Sequence, residues 1–81
     1  PTLDVGAGEI EAGIDLVDLL ARGGFLVASK GEARRALGQG GVHVNGHRAD
    51  EGRSVTAEDL LHGRFVVLRK GKKAYGLLHV R

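Results

Sequence analysis

The chain of 81 residues contains no cysteine, methionine or tryptophan, one proline and only three aromatics, Phe25, Phe65 and Tyr75. Without cysteine, neither a disulfide framework nor a thiolate zinc site can hold the fold, and nothing argues for secretion, so the expected compartment is the cytoplasm. With so few aromatics the core has to be built mostly from Leu and Val, which leaves little room for a buried ligand pocket. No apolar run approaches the roughly 20 residues that cross a bilayer, and residues 1–13 are too acidic for a signal peptide, so no membrane partner is expected. Catalytic material is equally scarce. Ser29 and Ser54 are the only serines, and no Ser, His and Asp arrangement is suggested around them. Gly38-Gln39-Gly40-Gly41 precedes a strand rather than a helix and lacks a Gly-Lys-Ser/Thr ending, so it is neither a P-loop nor a dinucleotide fingerprint. Asp50-Glu51 and Glu58-Asp59 read as solvated or capping groups rather than acid and base partners.

What is present is one small domain's worth of chain, 42% apolar with 14 glycines, and an uneven distribution of charge. Residues 1–18 carry Asp4, Glu9, Glu11, Asp15 and Asp18 and no Lys or Arg, a net of −5, while the rest holds all 12 Lys and Arg against five acids, a net of +7. A polyanionic partner is the natural inference from the basic part. Residues 1–13 mix Gly, Ala, Asp and Glu without apolar periodicity and read as a flexible acidic linker, with the folded domain over residues 14–81. Because the chain opens on Pro1 rather than Met, it is expected to be part of a longer protein.

Within 14–81 the local signals are sharper. Asp15 can cap a helix over about residues 16–22, with Asp18 at the capping-box spacing and Leu16, Leu19 and Leu20 at helical spacing before Gly23-Gly24 stops it. Phe25-Leu26-Val27 is a short apolar link that packs under the helices. Ser29 opens a second helix as a capping box with Glu32. On a helical wheel Ala33, Ala36 and Leu37 form the inward stripe, and Lys30, Arg34 and Arg35 spread over the outer side. Gly31 and Gly38 lie between those bases, so the surface there is low as well as positive, and the helix start adds free amides and partial positive charge. Gly38 reads as the helix stop.

Two hairpins follow. Val42 and Val44 alternate with His43, and Asn45-Gly46 is the favoured pair for a type I′ turn, which sets Val44 against His47 and His43 against Arg48. His43 and His47 then point to opposite faces, so their spacing makes no metal site. Thr56 to Asp59 can cap a short turn whose Leu60 and Leu61 plug the core. Arg64–Leu68 and Ala74–Val80 make the second hairpin, with Arg69, Lys70, Lys72 and Lys73 around its turn. A two-residue Lys70-Gly71 loop would oppose Arg69 to Lys72, a repulsion that an RNA phosphate would reverse. The expected fold is α+β, with two short helices packed on a small antiparallel sheet of hairpins.

The run Ser29-Lys30-x-Glu32-Ala33-Arg34-Arg35 followed by Gly40-Gly41-Val42-x-Val44-Asn45-Gly46 resembles the RNA-binding domain first known from ribosomal small-subunit protein S-four. Together with Asp59-Leu60-Leu61-His62-Gly63-Arg64-Phe65 and Arg69-Lys70-Gly71-Lys72-Lys73, residues 15–81 resemble more closely the C-terminal domain of bacterial tyrosyl-tRNA synthetases. That resemblance implies a module binding tRNA(Tyr) by its anticodon stem and long variable arm, joined to a catalytic domain that uses ATP and tyrosine and is expected to dimerise, the fragment itself being monomeric. Neither His-x-Gly-His nor Lys-Met-Ser-Lys-Ser occurs here, so no catalytic residue, metal or cofactor is assigned to this chain. By position the resemblance assigns RNA binding to Ser29, Lys30, Arg34, Arg35, Asn45, Arg69, Lys70, Lys72 and Lys73. Gly31 stands where the family more often has Ser, and Ala49 where a larger β-branched residue is usual. The alternatives are the RNA-binding domain of another S-four-like protein, stand-alone or linked to a pseudouridine synthase, and a protein-interaction or assembly domain. Binding is expected to rest on phosphates and helix shape rather than on splayed bases.

Overall fold

The computed structural model describes residues 2–22 and 26–81. The fold is α+β. Its main sheet has five strands in the order β1-β7-β6-β3-β4, formed by β1 (Thr2–Val5), β3 (Val42–Val44), β4 (His47–Arg48), β6 (Phe65–Lys70) and β7 (Ala74–Val80). A separate antiparallel pair joins β2 (Ile14–Asp15) to β5 (Ser54–Val55). The helices are α1 (Ala7–Ala12), α2 (Leu16–Ala21) and α3 (Lys30–Gly38), with a 3-10 turn at Ala57–Asp59.

One face of the main sheet is the core face. Alternation sends Val42, Val44, Val66, Leu68 and Leu78 inward, all at most 2% exposed, against Leu16, Leu19 and Leu20 of α2 and Ala33 and Leu37 of α3. Ala49 is also buried there, so the small side chain at that position is a packing choice. The core is thus aliphatic, as the composition requires.

Residues 1–13 differ from the linker expected of them. Thr2–Val5 adds a strand to the sheet edge, parallel to β7 with Thr2 opposite Leu77 and Val5 opposite Val80, and Ala7–Ala12 is helical. The sheet is therefore mixed rather than wholly antiparallel. Val5 and Ile10 are each 1% exposed, so the segment supplies core residues, and Ile14, which follows it directly, is 6% exposed. These three apolar residues sit on a strand, a helix and a second strand, so they share no common period.

The second helix behaves as its cap predicts at the start and differently at the end. Ser29 Oγ accepts the Glu32 amide at 3.1 Å. Glu32 reaches back to the amide of Ala28 rather than that of Ser29, at 3.4 Å. Gly38 is still helical, and the stop comes at Gly40, which takes φ +72°. Its amide bonds Leu37 O at 3.0 Å and the next amide, Gly41, bonds Ala36 O at 2.9 Å, the paired closure of a Schellman motif. Asp15 precedes α2 without a side-chain cap bond. The expected stop at Gly23-Gly24 and the contacts of Phe25 lie outside the described residues. Leu26 and Val27 do pack on the core.

Asn45 and Gly46 take φ 51° and 85°, both central positions of a type I′ turn, and His43 pairs with Arg48 and Val44 with His47 as expected. The 3-10 turn is fixed by Asp59, whose carboxylate accepts the Thr56 amide at 2.9 Å and binds the Arg53 guanidinium at 3.0 Å. Arg53 is the first cause of the lowered pKa of Asp59. Leu60 packs on the core, but Leu61 is 41% exposed and pairs its backbone with Phe65 instead of plugging the interior. In the last hairpin Lys70 pairs with Ala74 and Arg69 with Tyr75. The loop is therefore Gly71, Lys72 and Lys73, not Lys70-Gly71, and the expected opposition of Arg69 to Lys72 does not occur.

Candidate nucleic-acid interface

The basic residues of α3 stand where the wheel places them. Ala33 and Leu37 are buried, while Lys30, Arg34 and Arg35 are exposed, and Arg34 and Arg35 make no ion pair among the described residues. Gly31 is a low point on this face, because a Cβ there would meet nothing nearer than Ser29 Oγ at 3.9 Å. Gly38 is not a low positive point, because a Cβ there would lie 3.1 Å from Glu51 Oε1, so a carboxylate flanks it. Ser29 is exposed at the N-terminus of the helix. Its oxygen serves as the cap, and its O–H has no acceptor among the described residues.

The distal hairpin comes to the same side of the molecule as α3. Lys70 Nζ donates to Glu32 Oε1 at 2.7 Å, and the Gly71 amide donates to Gly41 O at 2.7 Å, just beyond the C-terminal closure of α3. A cleft of about 310 Å³ lies between them, lined in part by Ala36, Gln39, Lys70 and Ala74. Beyond it Lys72 and Lys73 project from the loop, exposed and without an ion pair among the described residues. Two basic segments more than 30 residues apart thus share one surface.

Two acids are set into this surface, and the sequence pattern had not paired them. Asp18 Oδ1 lies 2.8 Å from Lys30 Nζ, and its pKa is lowered first by the hydrogen bond from Lys30, with Arg22 and Arg34 adding attraction. Glu32 is lowered first by the hydrogen bond from Lys70, then by the Ala28 amide. Both pairs are substantially solvated, so each contributes little to stability and is readily exchanged for another anion. Glu32 stands among bases in the sequence, whereas Asp18 falls in the acidic segment and carries no such signal.

Asn45 and Arg69 take positions the sequence pattern did not anticipate. Asn45 Oδ1 accepts the Val67 amide at 2.9 Å and its Nδ2 donates to Asp59 O at 2.6 Å, so the side chain staples its turn to β6 and to the 3-10 turn. Arg69 is cross-strand to His43 and Tyr75, on the face of the sheet opposite the helices, whereas Lys70 turns toward α3. The nine residues assigned from the sequence therefore do not form one patch. Ser29, Lys30, Arg34, Arg35, Lys70, Lys72 and Lys73 belong to the α3 side, Arg69 to the open face, and Asn45 to the scaffold.

Among the described residues no group of three His, Cys, Asp or Glu side chains could hold a metal ion, and no helix is long and apolar enough to cross a membrane. The arrangement can neutralise phosphates along one side of the domain through separate, exposed cations.

Comparison with known proteins bears on what those cations meet. A family model described as the tyrosine–tRNA ligase SYY-like C-terminal domain matches residues 2–78. The tyrosine–tRNA ligase of Opitutus terrae is 42% identical over 82 residues, covering 99% of this chain and 19% of that protein. That of Corynebacterium jeikeium is 48% identical over 68 residues, covering 83% of this chain and 16% of its own. A solved structure titled as the solution structure of a tyrosyl-tRNA synthetase C-terminal domain superposes with a TM-score of 0.72 at 39% identity, covering 100% of this chain and 79% of that one. The chain spans about a fifth of the length of these relatives.

Proposed function

This chain belongs to the tyrosine–tRNA ligase SYY-like C-terminal domain family, and we propose on that premise that it docks tRNA(Tyr) for aminoacylation by a catalytic part outside these 81 residues. The α3 side takes the phosphates of the anticodon stem and long variable arm. Lys30, Arg34 and Arg35 supply charge along the helix, Ser29 and the helix start supply donors, and Lys72 and Lys73 reach a second stretch of backbone. ATP and tyrosine are handled elsewhere in the parent enzyme, which works in the cytoplasm as a dimer held by its catalytic domain. This domain alone is a monomer without catalysis.

The observation that supports this reading most directly is the docking of the distal hairpin beside α3 through Lys70–Glu32 and Gly71–Gly41. It sets two groups of cations on one side of a small rigid body, a spacing suited to two stretches of phosphate backbone rather than to one small anion. Binding built this way depends on salt, with a slope set by the number of phosphates neutralised.

The test is a titration of the chain against tRNA(Tyr) and against a tRNA with a short variable arm, each at several salt concentrations. The expected result is salt-dependent binding with tighter association of tRNA(Tyr). Equal affinity for both removes the part of the reading that concerns the long arm, and absence of salt dependence overturns the phosphate-based interface.

A further inference from the structure

The open face of the main sheet, away from the helices, carries a row of residues that the α3 interface does not use. Arg48, His43, Arg69 and Tyr75 are successive cross-strand partners on β4, β3, β6 and β7. Neighbouring strands are about 4.8 Å apart, so Arg69 stands directly beside His43 and Tyr75, whereas the Arg48 side chain lies over Gly40, its Cδ 3.1 Å and its Nη1 3.4 Å from where a Cβ on that glycine would sit. Neither Arg48 nor Arg69 makes an ion pair among the described residues, and no acid stands in the row. His43 Nδ1 and Arg69 Nε are buried without a hydrogen-bond partner among the described residues, although buried polar groups in folded proteins are nearly always paired. His43 and Arg69 side by side without a counter-charge are an arrangement that an anion would stabilise. With its Nε covered, Arg69 has its two terminal amino groups left as the parallel donors that phosphate accepts.

The same row ends on Tyr75, which is 52% exposed. Beside it lies a shallow depression of about 380 Å³ lined by Thr2, Val67, Tyr75, Gly76 and Leu77. Val67 and Leu77 are cross-strand partners in the next row, so the floor is apolar. An exposed aromatic ring at the edge of an apolar floor, one strand from an unpaired arginine, suits a planar base whose phosphate the arginine holds.

We propose that the open sheet face binds one unpaired nucleotide of the RNA, its phosphate on Arg69 beside His43 and its base against Tyr75. This inference rests on the reading that the partner is RNA, and it adds a base contact to an interface otherwise made of phosphates. The site is separate from α3, since Arg69 and Lys70 leave opposite faces of the same strand.

Tyr75 is the only tyrosine, so its ring signals in a carbon-13 NMR spectrum need no assignment, and those of His43 are assigned by comparison with His43→Gln. The 81-residue chain is titrated with tRNA(Tyr) and, separately, with inorganic phosphate, following both rings and the backbone amides of α3. The expected result is that tRNA(Tyr) shifts both rings and the α3 amides. Arg69→Gln is expected to weaken binding several-fold and lower the salt slope by about one, and Tyr75→Leu to weaken it with the slope unchanged. If the α3 amides shift while both rings stay still, the open-face site is wrong and the RNA reading stands. If nothing shifts with tRNA, the RNA reading fails and takes this inference with it. Ring shifts with inorganic phosphate but not with tRNA(Tyr) reveal a small-anion site only and overturn the nucleotide.

Discussion

Lys70 on β6 and Glu32 on α3 meet at 2.7 Å, across 38 residues of sequence. The pair joins the two basic segments, and it also sets a carboxylate where an RNA phosphate would approach. Glu32→Gln keeps an acceptor for the Ala28 amide but frees Lys70. The expected outcome is a several-fold gain in affinity for tRNA(Tyr) with a salt slope steeper by up to about one, read by fluorescence anisotropy at four salt concentrations. An unchanged slope would show that Lys70 does not reach phosphate.

Arg34 is exposed and unpaired on α3. Arg34→Ala is expected to weaken tRNA binding and lower the salt slope by about one. Stability is expected to stay within about 0.5 kcal/mol in urea melts, as for other surface substitutions.

Asn45 carries the opposite expectation. Asn45→Ala leaves the Val67 amide and Asp59 carbonyl unpaired and puts a Cβ residue without a compensating side chain at φ 51°. The expected cost is about 3 kcal/mol of stability, with tRNA affinity of the folded fraction unchanged. Asn45→Gly relieves the backbone cost but not the lost bonds and is expected to fall between the two. A loss of affinity with full stability would return Asn45 to the RNA surface.

Removing residues 1–13 is expected to abolish a cooperative thermal transition. Val5 and Ile10 are each 1% exposed, and burying such a side chain contributes roughly 1.5–3 kcal/mol in a fold whose total is about 5–15 kcal/mol. Calorimetry of the shortened chain checks this, and a sharp transition near that of the full chain would restore the linker reading.

His43 makes stability depend on pH. Burial first, then Arg69 and Arg48, hold its imidazole below the ordinary histidine range. The unfolded chain therefore binds this proton more readily, and linkage makes stability fall as pH drops from about 6.5 toward the folded value. Urea midpoints between pH 5 and 8 are expected to decline on the acid side, and His43→Gln to flatten that decline. Asp59 and Glu32, held below the ordinary carboxylate range, add a second loss at lower pH, below about 4.

What the sequence made legible was local. Ser29 with Glu32, and Asn45 with Gly46, are short-range signals whose geometry is settled within four residues, and both occur at the expected positions. Where several glycines competed, spacing did not choose: Gly38 and Gly40 are both plausible stops, and the Schellman closure onto Ala36 and Leu37 selects Gly40. The distal loop has three residues rather than two, which changes the cross-strand partner of Arg69 from a lysine to Tyr75. Lys70 was legible as a base but not as a partner of Glu32, because that contact exists only once the sheet has formed. The N-terminal segment was least legible, since its buried residues, Val5 and Ile10, lie on a strand and on a helix and share no period.

The parallel strand Thr2–Val5 has a consequence beyond its core residues. It occupies the outer backbone groups of β7, and the Arg81 amide continues the same line onto Val5 O at 3.1 Å. Without it, Tyr75-Gly76-Leu77-Leu78-His79-Val80 would become an exposed edge, β-prone and uncharged at neutral histidine. In its place the outermost strand is only four residues long and carries Asp4, a short charged margin that discourages another copy of the chain from adding its own strand.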